Sequence, residues 1–253
     1  MNRSVTLTHD GPIAVVALED RAGKNTFSRA FVDELEAAFA AIAASPESKV
    51  VVVHGYDNYF CCGGGKDELL GLFANVRDEA RGTSLDDLLF FDLFLRCEIP
   101  VIAAMQGHAI GGGLSLGCFA DVVLMAEECI YNAVFMKYGF TPGMGATCIV
   151  PHRMGASLGA EMLFTARNYY GLELKSRGAQ VRVVKRAEVI PQALEIAREL
   201  ADKPALSLRL LKATLARGLR EALPAAIARE QDMHRRSFAQ PEVRDRIERL
   251  FGR

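Results

Sequence analysis

Two apolar runs, each followed closely by a glycine-rich segment, constrain this chain most strongly. KVVVVHG (49–55) leads into YFCCGGGK (59–66), and PVIAAM (100–105) leads into GHAIGGGLS (107–115). An unbroken apolar run is typical of a strand buried on both faces, as in a parallel sheet covered by helices. Glycine permits φ > 0 and lets a ligand approach the peptide N–H groups closely. The pattern predicts a parallel sheet with two bare-backbone loops beyond its strands.

The other segments up to about residue 150 alternate strand and helix signals. VTLTHDGPIAVVAL (5–18) predicts a hairpin around Asp10-Gly11, which is a turn dipeptide. SRAFVDELEAAFAAIAAS (28–45) predicts a helix capped by Ser28, with Pro46 beyond its end. DVVLMAE (121–127) predicts a further strand. Repeated strand–helix–strand units favour the α/β class with right-handed crossovers.

Helical patterns dominate after about residue 150. Their wide apolar faces predict packing on the core or on another subunit. Four helices are expected, in SLGAEMLFTA (157–166), AEVIPQALEIARELAD (187–202), ALSLRLLKATLARGL (205–219) and ALPAAIAREQDMHRRSFA (222–239).

Composition excludes several classes of protein. The net charge of −1 gives no general attraction for nucleic acid. No apolar run reaches the ~18 residues of a membrane span, and MNRSVTLTHDG (1–11) lacks the apolar region of a signal peptide. The six cysteines show no CxxC spacing and lie mostly in apolar runs, which predicts reduced thiols and a cytoplasmic location. The histidines show no metal-binding spacing, so we expect no metal site.

The two glycine loops are candidates for one binding site. Ligands of open α/β sheets bind beyond the carboxyl ends of the strands, where both loops lie. Each loop precedes a predicted helix, whose first N–H groups lack partners. Two such groups that converge on one oxygen make an oxyanion hole. Tight turns are the alternative, whereas neither loop fits a P-loop or a GxGxxG motif.

PVIAAMQGHAIGGGLSLGCFADVVLMAE (100–127) strongly resembles the signature segment of the crotonase (enoyl-CoA hydratase/isomerase) superfamily. DRAGKNTFS, YFCCGGGKDEL and YGFTPGMGAT extend the resemblance over the chain. It implies a crotonase-like spiral of ββα units in residues 1–195 and a helical C-terminal trimerisation region in residues 196–253. It also implies a homotrimer or a dimer of trimers, and a thioester enolate bound by the N–H groups of Gly64 and Gly112.

Two positions depart from the hydratases of this superfamily. Where those enzymes carry two glutamates, this chain has Ser115 and Phe135. Water addition needs a base for the water and an acid for the α-carbon, so we expect no hydratase activity. An isomerase also needs a base, and neither position supplies a carboxylate. Decarboxylation of an acid vinylogous to a thioester needs only a stabilised dienolate and a later proton donor.

DNYF, CEIPVIAAMQGHAIGGG, FMKYGFTPGMGAT and MHRRSF closely resemble a subgroup, the decarboxylating crotonase homologues of polyketide β-branching cassettes. The resemblance implies conversion of a 3-methylglutaconyl thioester, on an acyl carrier protein or CoA, to 3-methylcrotonyl thioester. Phosphopantetheine or CoA would carry the substrate, with no tightly bound cofactor. The functional histidine of the subgroup falls on His234. A lysine of some members has no secure counterpart, and Leu72 stands there.

We expect His234 to protonate the dienolate or to orient the departing carboxylate, because an ordinary imidazole pKa near ~6.5 suits either role. Lys66 and Lys137 are candidates to receive the substrate carboxylate, although a lysine is more often solvated. Phe135 and Tyr138 are candidate acyl-pocket residues.

Arg21, Lys24 and Lys66 are expected to meet the phosphates of the carrier by charge, and Cys62 is placed with them. His108 is expected to bond the backbone and hold the second loop. Residues 67–88 are a candidate lid. The alternatives are an enoyl-CoA isomerase or hydratase, and a non-catalytic binding protein of this fold.

Overall fold

The computed structural model describes residues 3–77 and 90–251. A six-stranded sheet forms the base of the fold, in the order β1-β2-β3-β5-β7-β10. The first two strands are antiparallel and the rest pair in parallel. Its strands are β1 (Val5–Asp10), β2 (Ile13–Leu18), β3 (Val50–His54), β5 (Val101–Met105), β7 (Val122–Ala126) and β10 (Arg182–Val184).

A second sheet of four short strands has the order β4-β6-β8-β9. The first three of these strands follow the ends of β3, β5 and β7, so the chain visits the two sheets in turn as a spiral of ββα units requires. The second sheet contains β4 (Tyr59–Cys61), β6 (His108–Ile110), β8 (Ile130–Asn132) and β9 (Tyr169–Tyr170).

Ten α-helices and a short 3-10 helix (Val134–Tyr138) stand in the described part of the chain. The α-helices are α1 (Arg29–Ala44), α2 (Lys66–Arg77), α3 (Leu93–Arg96), α4 (Gly112–Cys118), α5 (Ala146–Met154), α6 (Ala156–Thr165), α7 (Gly171–Ser176), α8 (Arg186–Ala201), α9 (Ala205–Phe238) and α10 (Pro241–Leu250).

The predicted N-terminal elements are confirmed. Gly11 turns the hairpin at φ +55°, and the Ser28 side chain accepts a hydrogen bond from Phe31 N to cap α1. All of the residues of β5 are buried, as its continuous apolar run predicted. The crotonase-like α/β fold, with helices at its C-terminal end, is therefore as expected.

One expectation for local structure was wrong. The segments predicted as separate helices at 205–219 and 222–239 form one helix, α9, which continues through Pro224. Polar anchors fix α9 on both sides of Pro224: Lys212 Nζ donates to Phe94 O before it, and the Glu230 carboxylate accepts from Gly145 N after it. The second glycine segment also contains a strand, β6, before its helix.

The predicted boundary after residue 195 lies inside α8, which packs on β3, β5 and β7. The division into two regions stays a prediction. In the predicted lid, residues 67–77 belong to α2, and residues 78–88 and the side chain of Leu72 lie outside what the structure describes.

Across the described ranges, no helix combines the length and apolar character needed to cross a bilayer. Nor do three or more histidine, cysteine or carboxylate side chains of these ranges group in a way that would hold a metal ion.

Candidate active site

The two glycine loops lie against each other. A Cβ built on Gly63 would stand 3.0 Å from Gly112 N and 2.6 Å from Ile110 O, so a side chain there would separate the loops. Gly63 has φ +71° and its carbonyl accepts a hydrogen bond from Phe27 N at 2.8 Å. Gly112 is the first residue of α4, and its N–H therefore has no partner within the helix. Local structure thus brings two bare backbones to one place.

Both loops open into a cavity of about 790 Å³, within the range of small-molecule sites. The structure brings nine of the ten predicted site residues to its wall: Lys24, Cys62, Gly64, Lys66, Gly112, Phe135, Lys137, Tyr138 and His234. The tenth, Arg21, is not in the wall. Its guanidinium pairs with Asp57 at 2.6 Å and lies over the Tyr56 ring.

Aromatic rings form one end of the cavity. Phe135 meets Phe140 edge-on with 6.2 Å between ring centroids, and Tyr138 stacks on both Phe140 and Phe251 at 6.0 Å. Burial raises the pKa of the Tyr138 hydroxyl, which therefore stays protonated at neutral pH. Phe27 closes the side next to Gly112. The wall here is apolar and offers few polar atoms.

His234 is buried in this aromatic end. Its ring centroid lies 4.4 Å from that of Phe238 and 5.4 Å from that of Phe140, and Gly143 packs against its face. Nδ1 has no hydrogen-bond partner among the described residues. Desolvation lowers the pKa of His234 to about 4. The expectation of an ordinary imidazole pKa was therefore wrong, because burial disfavours the charged form.

The two positions where a hydratase would carry glutamates hold no carboxylate. Ser115 is fully buried in α4, and its hydroxyl has no partner among the described residues. Phe135 is part of the aromatic end. Two other carboxylates do line the cavity: Glu68 is exposed on the first turn of α2, above Gly65, and Glu230 is buried. Neither stands at a hydratase position.

Glu230 is a buried wall residue that sequence reasoning missed. It lies one helical turn before His234 on α9, within the polar-looking run AREQDMHRR (228–236). Its carboxylate accepts hydrogen bonds from Gly145 N at 2.7 Å, from Thr147 N at 2.7 Å and from Thr147 Oγ1 at 2.5 Å. A spacing signal existed, because Glu230 shares a face with Leu223 and Phe238.

Basic and polar groups line the other part of the wall. Lys24 Nζ lies 5.4 Å from the Tyr59 ring centroid, and Lys66 Nζ donates to Glu248 O at 3.4 Å. Burial raises the pKa of the Cys62 thiol to about 11, so it is not a thiolate nucleophile at neutral pH.

The structural role predicted for His108 is confirmed, since its Nδ1 accepts from Ile130 N at 2.9 Å and ties β6 to β8.

This fold and cavity define a class of protein. A model of the enoyl-CoA hydratase/isomerase family matches residues 8–250. The chain therefore belongs to that family, which is the crotonase superfamily that its signature segment resembles.

Similarity to individual proteins is more specific. The chain is 47% identical over 243 residues to the bacillaene synthase decarboxylase PksI of Bacillus subtilis, covering 96% of this chain and 95% of the relative. A solved structure from a dehydratase/decarboxylase enzyme couple of polyketide β-branching is 46% identical, with a TM-score of 0.94 and coverage of 99% of this chain and 100% of that one. The ECH2 decarboxylase domain of CurF from Lyngbya majuscula is 38% identical, with a TM-score of 0.91 and the same coverage. The predicted resemblance to decarboxylases of polyketide β-branching is confirmed.

Proposed function

We propose that this chain decarboxylates 3-methylglutaconyl thioester, on a carrier protein or CoA, to 3-methylcrotonyl thioester in polyketide β-branching. One observation carries the proposal. The paired glycine loops open on an apolar cavity end that holds a neutral imidazole. At both positions where a hydratase carries a glutamate, this chain has a residue without a carboxylate. Such a site stabilises an enolate and lacks the acid–base pair for water addition.

The reaction breaks the bond between the γ-carbon and its carboxylate, which leaves as CO₂. The electron pair of that bond delocalises through the α,β double bond onto the thioester oxygen and gives a dienolate. The N–H groups of Gly64 and Gly112 donate to that oxygen, where the negative charge develops. One proton delivered to the γ-carbon then yields the 3-methylcrotonyl thioester.

His234 faces the carboxylate end in this proposal. Burial lowers the pKa of its imidazole, and an incoming carboxylate raises that pKa because an opposite charge favours the imidazolium, which forms by uptake of a proton from solvent. It orients the carboxylate through an N–H and supplies the proton after CO₂ has left. Phe135 and Tyr138 shape the acyl pocket, and Lys66 or Lys137 contacts the substrate carboxylate as it enters the site.

The carrier occupies the basic part of the wall. Lys24 contacts the phosphate of phosphopantetheine or CoA, with Cys62 beside it, and Arg21 adds charge next to this wall while pairing with Asp57. An acyl carrier protein presents the substrate, as expected for a thioester of this pathway. A cytoplasmic location stays a prediction.

Self-association is part of the proposal. Four leucines on the first half of α9 are between 56% and 73% exposed, although large apolar side chains seldom cluster in water. We expect a homotrimer or a dimer of trimers to cover them. The leucines are Leu206, Leu210, Leu211 and Leu215. Light scattering of Leu210→Glu, compared with the parent, tests this: a smaller assembly is expected, and an unchanged mass places the interface elsewhere.

The test of activity uses the intact protein and 3-methylglutaconyl-carrier protein, followed by mass spectrometry. Loss of the mass of CO₂ is expected, and His234→Ala should lower its rate about 10²-fold or more, the range of a proton donor. His9→Ala removes an exposed histidine from β1 and serves as the matched control. A gain of the mass of water, or a shifted double bond at constant mass, would identify a hydratase or an isomerase. No change at all would favour a binding protein.

A further inference from the structure

The segment from Phe140 to Thr147 runs between His234 and the second glycine loop in a strained conformation. Met144 has φ +59° and Gly145 has φ +69°, and a non-glycine residue seldom holds the first of these. Such a conformation persists only where the surroundings determine it. The contacts that fix this segment therefore determine the positions of the side chains and backbone groups that pack against it.

Two side chains of α9 grip the segment. Glu230 binds its C-terminal end through three hydrogen bonds from Gly145 and Thr147, and so caps α5, whose N-cap glycine has no side chain for the purpose. Ser237 binds its other end, accepting from Thr141 N at 3.0 Å and bonding Thr141 Oγ1 at 2.9 Å. His234 lies between Glu230 and Ser237 on the same helix face.

The gripped segment touches both groups of the proposed chemistry. A Cβ on Gly143 would lie 3.3 Å from His234 Cε1, so this glycine packs directly on the imidazole. A Cβ on Gly112 would lie 3.0 Å from Met144 Cε and would also meet Met144 Sδ, so that side chain covers the second glycine loop. One carboxylate thus anchors a segment that contacts His234 on one side and Gly112 on the other.

We infer that Glu230 is a positioning residue, whose carboxylate fixes residues 141–147 so that His234 and the Gly112 N–H face one substrate. The inference rests on the proposed function. Both carboxylate oxygens accept from backbone N–H groups, Gly145 N on Oε2 and Thr147 N on Oε1, so the carboxylate is held against the segment that it positions. A displacement of about 1 Å in such a site costs up to about 10²-fold in rate.

The experiment measures kcat and KM for CO₂ release by the full chain. Glu230→Gln keeps the size of the side chain. It replaces one acceptor oxygen by an NH₂ group, which then faces a backbone N–H that donates to Glu230 in the parent. We expect kcat to fall about 10- to 100-fold with KM changed less than about threefold. Thr147→Val removes only the hydroxyl contact and should give a smaller fall. Asp232→Asn, an exposed neighbour on α9 paired with Arg236, is the matched control and should match the parent.

A second readout separates positioning from stability. The ring signals of His234 in NMR spectra should shift in Glu230→Gln and Thr147→Val, but not in Asp232→Asn, at temperatures well below unfolding. Lower melting temperature with parental kcat and unmoved His234 signals would overturn the inference. If the parent releases no CO₂, the proposed function is wrong. The His234 signals then test the positioning role of Glu230 by themselves, because they do not depend on activity. If Glu230→Gln does not fold, Thr147→Val decides in the same way.

Discussion

Burial of His234 makes the stability of this protein depend on pH in a calculable way. The imidazole lies among Phe140, Phe238 and Gly143 with its pKa lowered to about 4, against 6.5 for an ordinary histidine. His234→Phe replaces it with a ring of similar shape that cannot bind a proton. We compare the two proteins between pH 8 and pH 4.

The sign follows from proton binding. Between pH 6.5 and about 4 the unfolded chain binds a proton at His234 and the folded chain does not, so the free energy of unfolding falls as the pH falls. Each tenfold difference in proton affinity is worth about 1.4 kcal/mol. The full effect is then about 3 kcal/mol, of which about 2 kcal/mol is lost by pH 5. Only about 0.1 kcal/mol of it is lost between pH 8 and pH 7.

Urea unfolding of both proteins, followed by circular dichroism, measures the effect. The difference in free energy of unfolding between His234→Phe and the parent should move by about 2 kcal/mol in favour of the variant from pH 8 to pH 5. Comparing differences cancels the other titrating groups that the two proteins share. Parallel pH curves would refute the reasoning and would mean that the folded site admits a charged imidazole.

Three further substitutions probe the supports of the site by urea unfolding. Gly113→Ala should fail to fold or lose about 3 kcal/mol or more, because its Cβ would collide with the backbone carbonyl of Cys61; a soluble variant of parental stability would show that the loops can separate. Lys212→Ala should cost about 3 kcal/mol, since it removes the ion-pair partner of Asp121 at 2.5 Å and leaves only the bond from Val101 N; a loss below about 1 kcal/mol would mean that Asp121 is well hydrated. Asn25→Ala should cost about 2 to 4 kcal/mol, because its amide donates to two backbone carbonyls in separate segments; no loss would show that water replaces it.

The glycine loops were predictable in place but not in full meaning. Their position after buried strands predicted that bare backbone would lie beside a pocket, and the structure has both loops in the wall of the cavity. The sequence does not say which glycine serves which purpose. Gly113 lacks a side chain because the Cys61 carbonyl packs on it, whereas Gly112 lacks one because Met144 and Phe27 do. Only tertiary contacts distinguish these two reasons, because Gly112 and Gly113 belong to one run of identical residues in the sequence.

Local polarity on α9 concealed the burial of Glu230. AREQDMHRR reads as a solvated helix face, yet Glu230 and His234 are buried at 3% and 8% exposure. The helical periodicity does indicate that these two residues are buried, because they belong to a stripe of residues spaced by three and four. The buried residues of this stripe are Leu223, Ala226, Glu230, His234 and Phe238. A charged residue inside such a stripe is buried only if it finds donors, and those donors come from α5, far away in the sequence. That part was beyond prediction from local pattern.

The same geometry explains why a neutral imidazole suits this chemistry better than a carboxylate pair. A permanent carboxylate at the position of Ser115 or Phe135 would repel the substrate carboxylate and the dienolate that follows it. In the proposed reaction, His234 is neutral until the substrate brings a negative charge that stabilises its protonated form, and it then takes up a proton from solvent. When CO₂ leaves in this proposal, the negative charge moves to the thioester oxygen beside Gly64 and Gly112, and the imidazolium is left as the acid next to the carbon that needs a proton. Burial would thus tie the proton to the presence of substrate, and the role inferred for Glu230 is to hold the segment through which His234 and Gly112 keep their relative positions.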